Sequence, residues 1–145
     1  MEPIVIHFDG SCFRNGRPGA SASWGFVAIE SATQRTVERQ SGPCVSEVHT
    51  NNVAELMGLL KSLTWLASLD QLPRGDVTIM GDSKLAIKSA QGRWKVKSPH
   101  LVAISRCIAT VLSQLRARRN GRFQIHFKWV PRAKNTQAHD AAQPI

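Results

Sequence analysis

The sequence predicts an α/β chain: a five-stranded mixed sheet with helices on both faces, formed as a single domain over residues 1–145. Three observations carry that expectation. The apolar pattern begins in short β-rich runs and then changes to three-four spacing. The second half reads helix, strand, two helices, strand and helix, an order that needs parallel pairing through right-handed crossovers. The length suits one domain, and 42% hydrophobic residues are enough for a core.

The elements follow in order. Ile4 to Phe8 is a β-rich run of one strand's length, and Asp9-Gly10-Ser11 is expected to end it. Asn15 to Gly19 is turn chemistry. Trp24 to Ile29 reads as a second strand and Thr36 to Gln40, polar and alternating, as a third at an edge, so the three form an antiparallel meander. Val53, Leu56, Met57, Leu60, Leu63, Leu66 and Ala67 mark a long amphipathic helix, with Asn51-Asn52 as its expected cap. Val77 to Met80 is a fourth strand followed by Gly81-Asp82-Ser83, and Leu85 to Ala90 a short helix. Ser98-Pro99 opens a helix whose apolar side carries Leu101, Ile104, Ile108, Val111, Leu112 and Leu115. Phe123 to Val130 is the fifth strand, and a last short helix starts at Asn135. Trp24, Trp65 and Trp129 fall in apolar patterns and are expected in the core, while His7, His49, His100 and His126 are read as structural.

Composition removes several classes. No apolar run approaches the roughly 20 residues of a membrane span, and Met1 to Ile4 lacks the pattern of a secretory signal. Cys12, Cys44 and Cys107 are too irregular for a disulfide framework or a CxxC zinc site, and they suit a reducing, cytoplasmic setting. The net charge is +9 and it is segregated: from Ser83 to Lys134 there are 13 Lys and Arg and no Asp or Glu. A one-sided basic face of that length is the footprint of a polyanion, nucleic acid before a membrane surface. The Arg116-Arg118-Arg119-Arg122 cluster is either a distal phosphate patch or a positive helix end.

Only ten carboxylates exist, so each can be weighed. Asp9 and Asp82 follow two strands that would be parallel neighbours, and ligands in such sheets bind at the strands' carboxyl ends. Glu55, in the first turn of the long helix, can face the same edge. Carboxylates crowded together repel, and a divalent cation resolves the repulsion. Two such ions about 4 Å apart can activate water and stabilise a leaving oxygen in phosphodiester cleavage.

At this point the residues resemble a known family. Asp9-Gly10-Ser11 with Asn15 to Gly19, Asn51-Asn52-Val53-Ala54-Glu55-Leu56, Gly81-Asp82-Ser83 and Asn135-Thr136-Gln137-Ala138 are similar in order and spacing to type 1 ribonuclease H. The resemblance covers nearly the whole chain. It implies a ribonuclease H-like fold and a hydrolase that cuts the RNA strand of RNA–DNA hybrids, leaving a 5′-phosphate and a 3′-hydroxyl. It implies two Mg²⁺ or Mn²⁺ ions, with Asp9 bridging both, Glu55 and Asp82 each holding one, and His139 completing the site. Gly10, Ser11, Asn15, Asn51 and Asn52 match positions that touch the hybrid through its minor groove and 2′-hydroxyls, the group that marks RNA. Thr50 matches a position near a DNA-strand phosphate.

The chain departs from the family pattern in three places. The motif Asn-x-x-Ala is usually followed by Asp, but here His139 follows and Asp140 comes one place later. One helical step turns a side chain by about 100°, so Asp140 is the alternative fourth ligand only with a local shift. Imidazole is softer than carboxylate and removes one negative charge, which predicts weaker hold on the second ion and a lean towards Mn²⁺. Val130-Pro131-Arg132-Ala133-Lys134 lacks the loop histidine of many relatives, and Arg132 or Lys134 could hold the same phosphate without shuttling a proton. The segment from Gly92 to Pro99 is too short for a basic protrusion, yet Trp94 with Lys95 and Lys97 could pack on the DNA strand; the alternative is a core Trp94 beside a solvated loop.

The expected protein is therefore a monomeric cytoplasmic endonuclease with an RNA–DNA hybrid as partner, double-stranded RNA as a second candidate substrate, and no membrane partner. Two rivals stand beside it. One is the same fold weakened in catalysis by His139, binding hybrid or double-stranded RNA. The other is the nuclease domain of a polymerase-like assembly, against which Met1 and the full set of elements argue.

Overall fold

The computed structural model describes residues 2–15, 17–44, 48–118 and 124–142. Five strands form one sheet in the order β3-β2-β1-β4-β5, from β1 (Ile4–Phe13), β2 (Ser21–Glu30), β3 (Thr36–Pro43), β4 (Val77–Gly81) and β5 (Ile125–Trp129). The meander β1-β2-β3 is antiparallel, while β1 pairs with β4 and β4 with β5 in parallel. Helices α1 (Asn51–Ser68), α2 (Lys84–Ala90), α3 (Pro99–Ala117) and α4 (Thr136–Ala142) complete the fold. A 3-10 turn at Arg132–Lys134, not expected from the sequence, leads into α4.

Alternation along β1 sorts the two faces. Ile4, Ile6 and Phe8 are buried in the large core with Leu56, Leu59, Leu63 and Leu66 of α1 and Leu112 and Leu115 of α3. On the opposite face Val27 and Ile29 of β2 pack with Ala141 of α4. Helices thus cover both faces, as expected. Gly10 lets α1 lie directly on β1, because a Cβ there would sit 2.2 Å from the Ala54 carbonyl carbon. Gly25 does the same for α4, where a Cβ would sit 2.6 Å from the Ala142 nitrogen, and the Ser23 hydroxyl donates to the Ala142 carbonyl.

Several expected boundaries are corrected. Asp9-Gly10-Ser11 does not end the first strand: β1 pairs with β2 through Phe13↔Ser21, so Asp9 stands inside it. Residues of low β-propensity persist there because the hairpin partner and α1 over-determine their conformation. Asn51 and Asn52 do not cap α1; Thr50 does, its hydroxyl accepting from the Val53 N–H at 3.2 Å. Asn51 already lies in the first turn, and its N–H is taken by the Asn15 side chain at 2.9 Å. Asn135 precedes α4 rather than opening it. The turn position Gly16, the strand start at Phe123, and Arg119 and Arg122 lie outside the described residues.

Tryptophans divide differently from the expectation. Trp24 and Trp65 are buried, but Trp129 is 39% exposed and Trp94 49%. Trp129 ends β5, the edge strand of the sheet, which leaves its ring part-exposed beside the start of α2. The core alternative for Trp94 is likewise set aside. The expected structural histidines have partners in three cases: His7 meets the Asn135 side chain, His49 accepts from the Ala22 N–H, and His126 meets Asp76. Among the described residues no helix is long and apolar enough to cross a membrane.

Candidate active site

Parallel pairing builds the site. His7 of β1 stands opposite Met80 of β4, so Asp9 and Asp82, each two residues further on, reach the same level on strands about 4.8 Å apart. The close seat of α1 at Gly10 brings Glu55 over the same point. Single carboxylate oxygens of Asp9, Glu55 and Asp82 lie within 4.8 Å of one another. They line a cleft of about 560 Å³ together with Gly10, Ser11, Cys12, Asn51, Asn52, Ser83, Lys84, Leu85, Arg132 and His139.

Each acid is fixed from its own side. Asp9 is 2% exposed; one oxygen accepts from the Gly10 N–H at 2.9 Å and the other meets His139 Nδ1 at 3.0 Å. Glu55 Oε2 is buried and has no hydrogen-bond partner. Burial first, then the charges of Asp9 and Asp82, push the Glu55 carboxyl up to about 10. Burial and then Asp9 also raise Asp82, opposed by the Asn135 side chain and by Arg132. Three acids that cannot all ionise cheaply, one with an orphaned buried oxygen, form a donor set suited to a hard divalent cation.

The remaining predicted residues fall into three groups. Arg132 and His139 reach the cleft, with Arg132 Nη2 3.3 Å from the imidazole nitrogens. Asn15 and Thr50 stand behind the cleft wall, organising the start of α1. Asp140, Lys134 and Lys97 are exposed and outside the cleft. Trp94 and Lys95 line a second hollow of about 530 Å³ with Arg93 and Arg106. The seven-residue α2 separates cleft from hollow, a distance of roughly 10 Å along its axis.

Asn135, His7, Trp129 and Lys84 take part in ways the sequence alone does not mark. Asn135, 1% exposed, donates to the Phe8 carbonyl at 2.8 Å and meets His7 at 3.2 Å, which ties the approach to α4 to β1 beside Asp9. Burial lowers the His7 pKa, against the Asn135 hydrogen bond. Trp129 Nε1 donates to the Asp82 carbonyl at 3.0 Å, and Lys84 Nζ stands 5.0 Å from the Trp129 ring centroid. Asn135 falls in the last motif, where sequence alone marks no role for it, and nothing in an apolar strand pattern distinguishes Trp129 from a core residue.

Comparison with known proteins shows the family and the fold. The family model described as RNase H matches residues 1–143. The Mycobacterium tuberculosis "Bifunctional protein Rv2228c" is 36% identical over 135 residues, 93% of this chain and 33% of that protein. The chain therefore spans about a third of that relative's length. The solved N-terminal RNase H domain of Rv2228c superposes with a TM-score of 0.79 at 30% identity, covering 98% of this chain and 91% of that one. LC11-RNase H1, solved in complex with an RNA/DNA hybrid, gives 0.77 at 28% identity, covering 96% and 93%. RNase H1 from Halobacterium salinarum gives 0.76 at 25% identity, covering 97% and 94%.

Proposed function

The chain belongs to the RNase H family, and from that premise we propose that it is a metal-dependent endoribonuclease that cuts the RNA strand of RNA–DNA hybrids by a two-metal mechanism. The observation that carries this reading is the convergence of Asp9, Glu55 and Asp82 within 4.8 Å, with Glu55 Oε2 buried and unpartnered. Asp9, Glu55, Asp82 and His139 would hold the ions. Bound there, Mg²⁺ or Mn²⁺ supplies Lewis acidity to the phosphodiester and eases ionisation of a water.

The chain's own residues do the rest. Water oxygen bonds to phosphorus and the bond to the 3′-oxygen breaks, leaving a 5′-phosphate and a 3′-hydroxyl. Arg132, at the cleft rim beside His139, faces the phosphate as a fixed cation. Gly10, Ser11, Asn51 and Asn52, small or amide-bearing, receive the minor groove and its 2′-hydroxyls, and Asn15 and Thr50 hold that wall in place. Lys84, Trp94, Lys95 and Lys97 hold the backbone across α2. With His139 in place of a fourth carboxylate, the second ion binds weakly and Mn²⁺ serves better than Mg²⁺. Relatives with hybrid-bound structures support the choice of substrate.

The test is cleavage of an end-labelled hybrid during a Mg²⁺ and Mn²⁺ titration, comparing the parent with Asp9→Asn. We expect RNA fragments with 5′-phosphates from the parent. Asp9→Asn should lower the rate by more than the roughly 100-fold that loss of a ligand's supporting partner costs, with hybrid binding little changed. Equal cleavage by both chains would refute the site. Binding of hybrid or double-stranded RNA without cleavage in either metal would favour the weakened binding module that His139 allows.

A further inference from the structure

The tip of the β1–β2 hairpin carries an arrangement that the cleft does not use. Phe13 is 62% exposed, the most exposed of the large apolar side chains among the described residues. The Arg14 guanidinium carbon stands 5.5 Å from the Phe13 ring centroid. Arg14 holds a φ of 55°, a left-handed conformation that favours glycine and costs another residue on the order of 1 kcal/mol. Gln34 shares that conformation, but its side chain serves its own turn by donating to the Ser31 carbonyl. Arg14 has no carboxylate partner among the described residues.

The tip is continuous with the cleft. Phe13 lies two residues beyond Ser11 and four beyond Asp9, and strand alternation puts all three on one face of β1. Next in the chain, Asn15 is bonded to Asn51 of the cleft wall. Four residues of strand span roughly 13 Å, the axial length of about four base pairs. An aromatic ring backed by a cation is a general device for a sugar or base beside a phosphate.

We propose that Phe13 and Arg14 form a second nucleic-acid subsite at the hairpin tip, with Arg14 on a backbone phosphate and Phe13 against the adjacent sugar of the duplex that leaves the cleft. The subsite rests on the proposed reading that the cleft holds an RNA–DNA hybrid. Its ligand is the same duplex, and its contribution is binding rather than turnover.

Strain gives the test its sign. Arg14→Gly relieves the left-handed φ, so thermal stability is expected to hold or rise while binding weakens. Hybrid affinity is measured by fluorescence anisotropy with EDTA present, across a salt series, for the parent, Arg14→Gly and Phe13→Ala. Arg14→Gly should weaken binding about 3- to 10-fold at low salt and reduce the log–log salt slope by about 1. Phe13→Ala should weaken binding about 5-fold or more and leave the slope unchanged. With Mg²⁺ or Mn²⁺ restored, both variants should raise KM and leave kcat as in the parent. Parent-like affinity and slope in both variants overturn the subsite and leave the cleft reading intact. A parent that holds no hybrid overturns the cleft reading and this subsite together.

Discussion

At the scale of single residues, Glu55 makes the metal-free protein sensitive to base. Its carboxyl is raised from 4.5 to about 10 in the folded chain, by burial above all. Folding therefore takes up a proton at pH values between those two. The stability this provides is full below the ordinary carboxylate range and is lost as pH rises towards 10. In EDTA the melting temperature should fall progressively from pH 5 to pH 9. Glu55→Gln should flatten that slope, and divalent cations should stabilise the parent more at the alkaline end, where fewer protons compete. Thermal unfolding across pH with and without Mg²⁺ checks all three. His139 is tested by exchange: His139→Ala should reduce cleavage and Mn²⁺ affinity, whereas Asp140→Ala, altering an exposed side chain outside the cleft, should do neither. The reverse result in calorimetry and cleavage assays would place the fourth ligand at Asp140.

At the scale of elements, the seat of α1 decides the site, and its far end is held by a single arginine. Arg118, just past α3, donates to the carbonyls of Ala67, Leu69 and Asp70 at 3.4, 2.9 and 3.1 Å. The Ala67 carbonyl lies in the last turn of α1 and those of Leu69 and Asp70 just past it, where no further helical N–H follows. Arg118→Ala is expected to cost about 1–2 kcal/mol, a fall of roughly 4 °C in melting temperature for a chain of this size. Arg118→Lys, unable to reach three carbonyls at once, should recover only part of it. The helices and strands themselves were legible, because their apolar residues repeat at the periods that packing demands. Their ends were less so. Asp9-Gly10-Ser11 reads as a stop in isolation, and only the pairing of Phe13 with Ser21 and the contact of α1 on Gly10 keep it extended. Likewise Asn51 is as good a cap as Thr50 until Asn15 has taken its N–H.

For the whole molecule, charge is arranged around the path a duplex would take. Lys84 and Arg132 stand at the cleft, and Arg93, Lys95 and Arg106 at the second hollow beyond α2. With Lys97 and the hairpin-tip Arg14 added to these five, phosphate contacts at about 0.9 counterions each give an expected log–log salt slope of roughly −6 for hybrid binding. Anisotropy titrations from low to moderate salt measure it, and a slope near about −2, from Lys84 and Arg132 alone, would confine the contact to the cleft. The sequence showed that the basic block exists but not where it lies, since that depends on how the crossovers stack. The acids were legible for a different reason: position at the ends of parallel neighbouring strands dictates convergence. Trp129 was hidden because a ring at a sheet edge and a ring under a helix share one pattern.

The placement of α4 has a consequence for the timing of synthesis. His139 meets Asp9, Asn135 the Phe8 carbonyl and Arg132 the His139 ring only after α4 docks through Gly25 and Ser23. A nascent chain that has emerged only as far as β5 can already hold its three acids near one another, yet it lacks the His139 imidazole, the Arg132 guanidinium and the Asn135 amide. Such a fragment should hold nucleic acid near the ribosome without cutting it, and the ability to cut would arrive late and all at once.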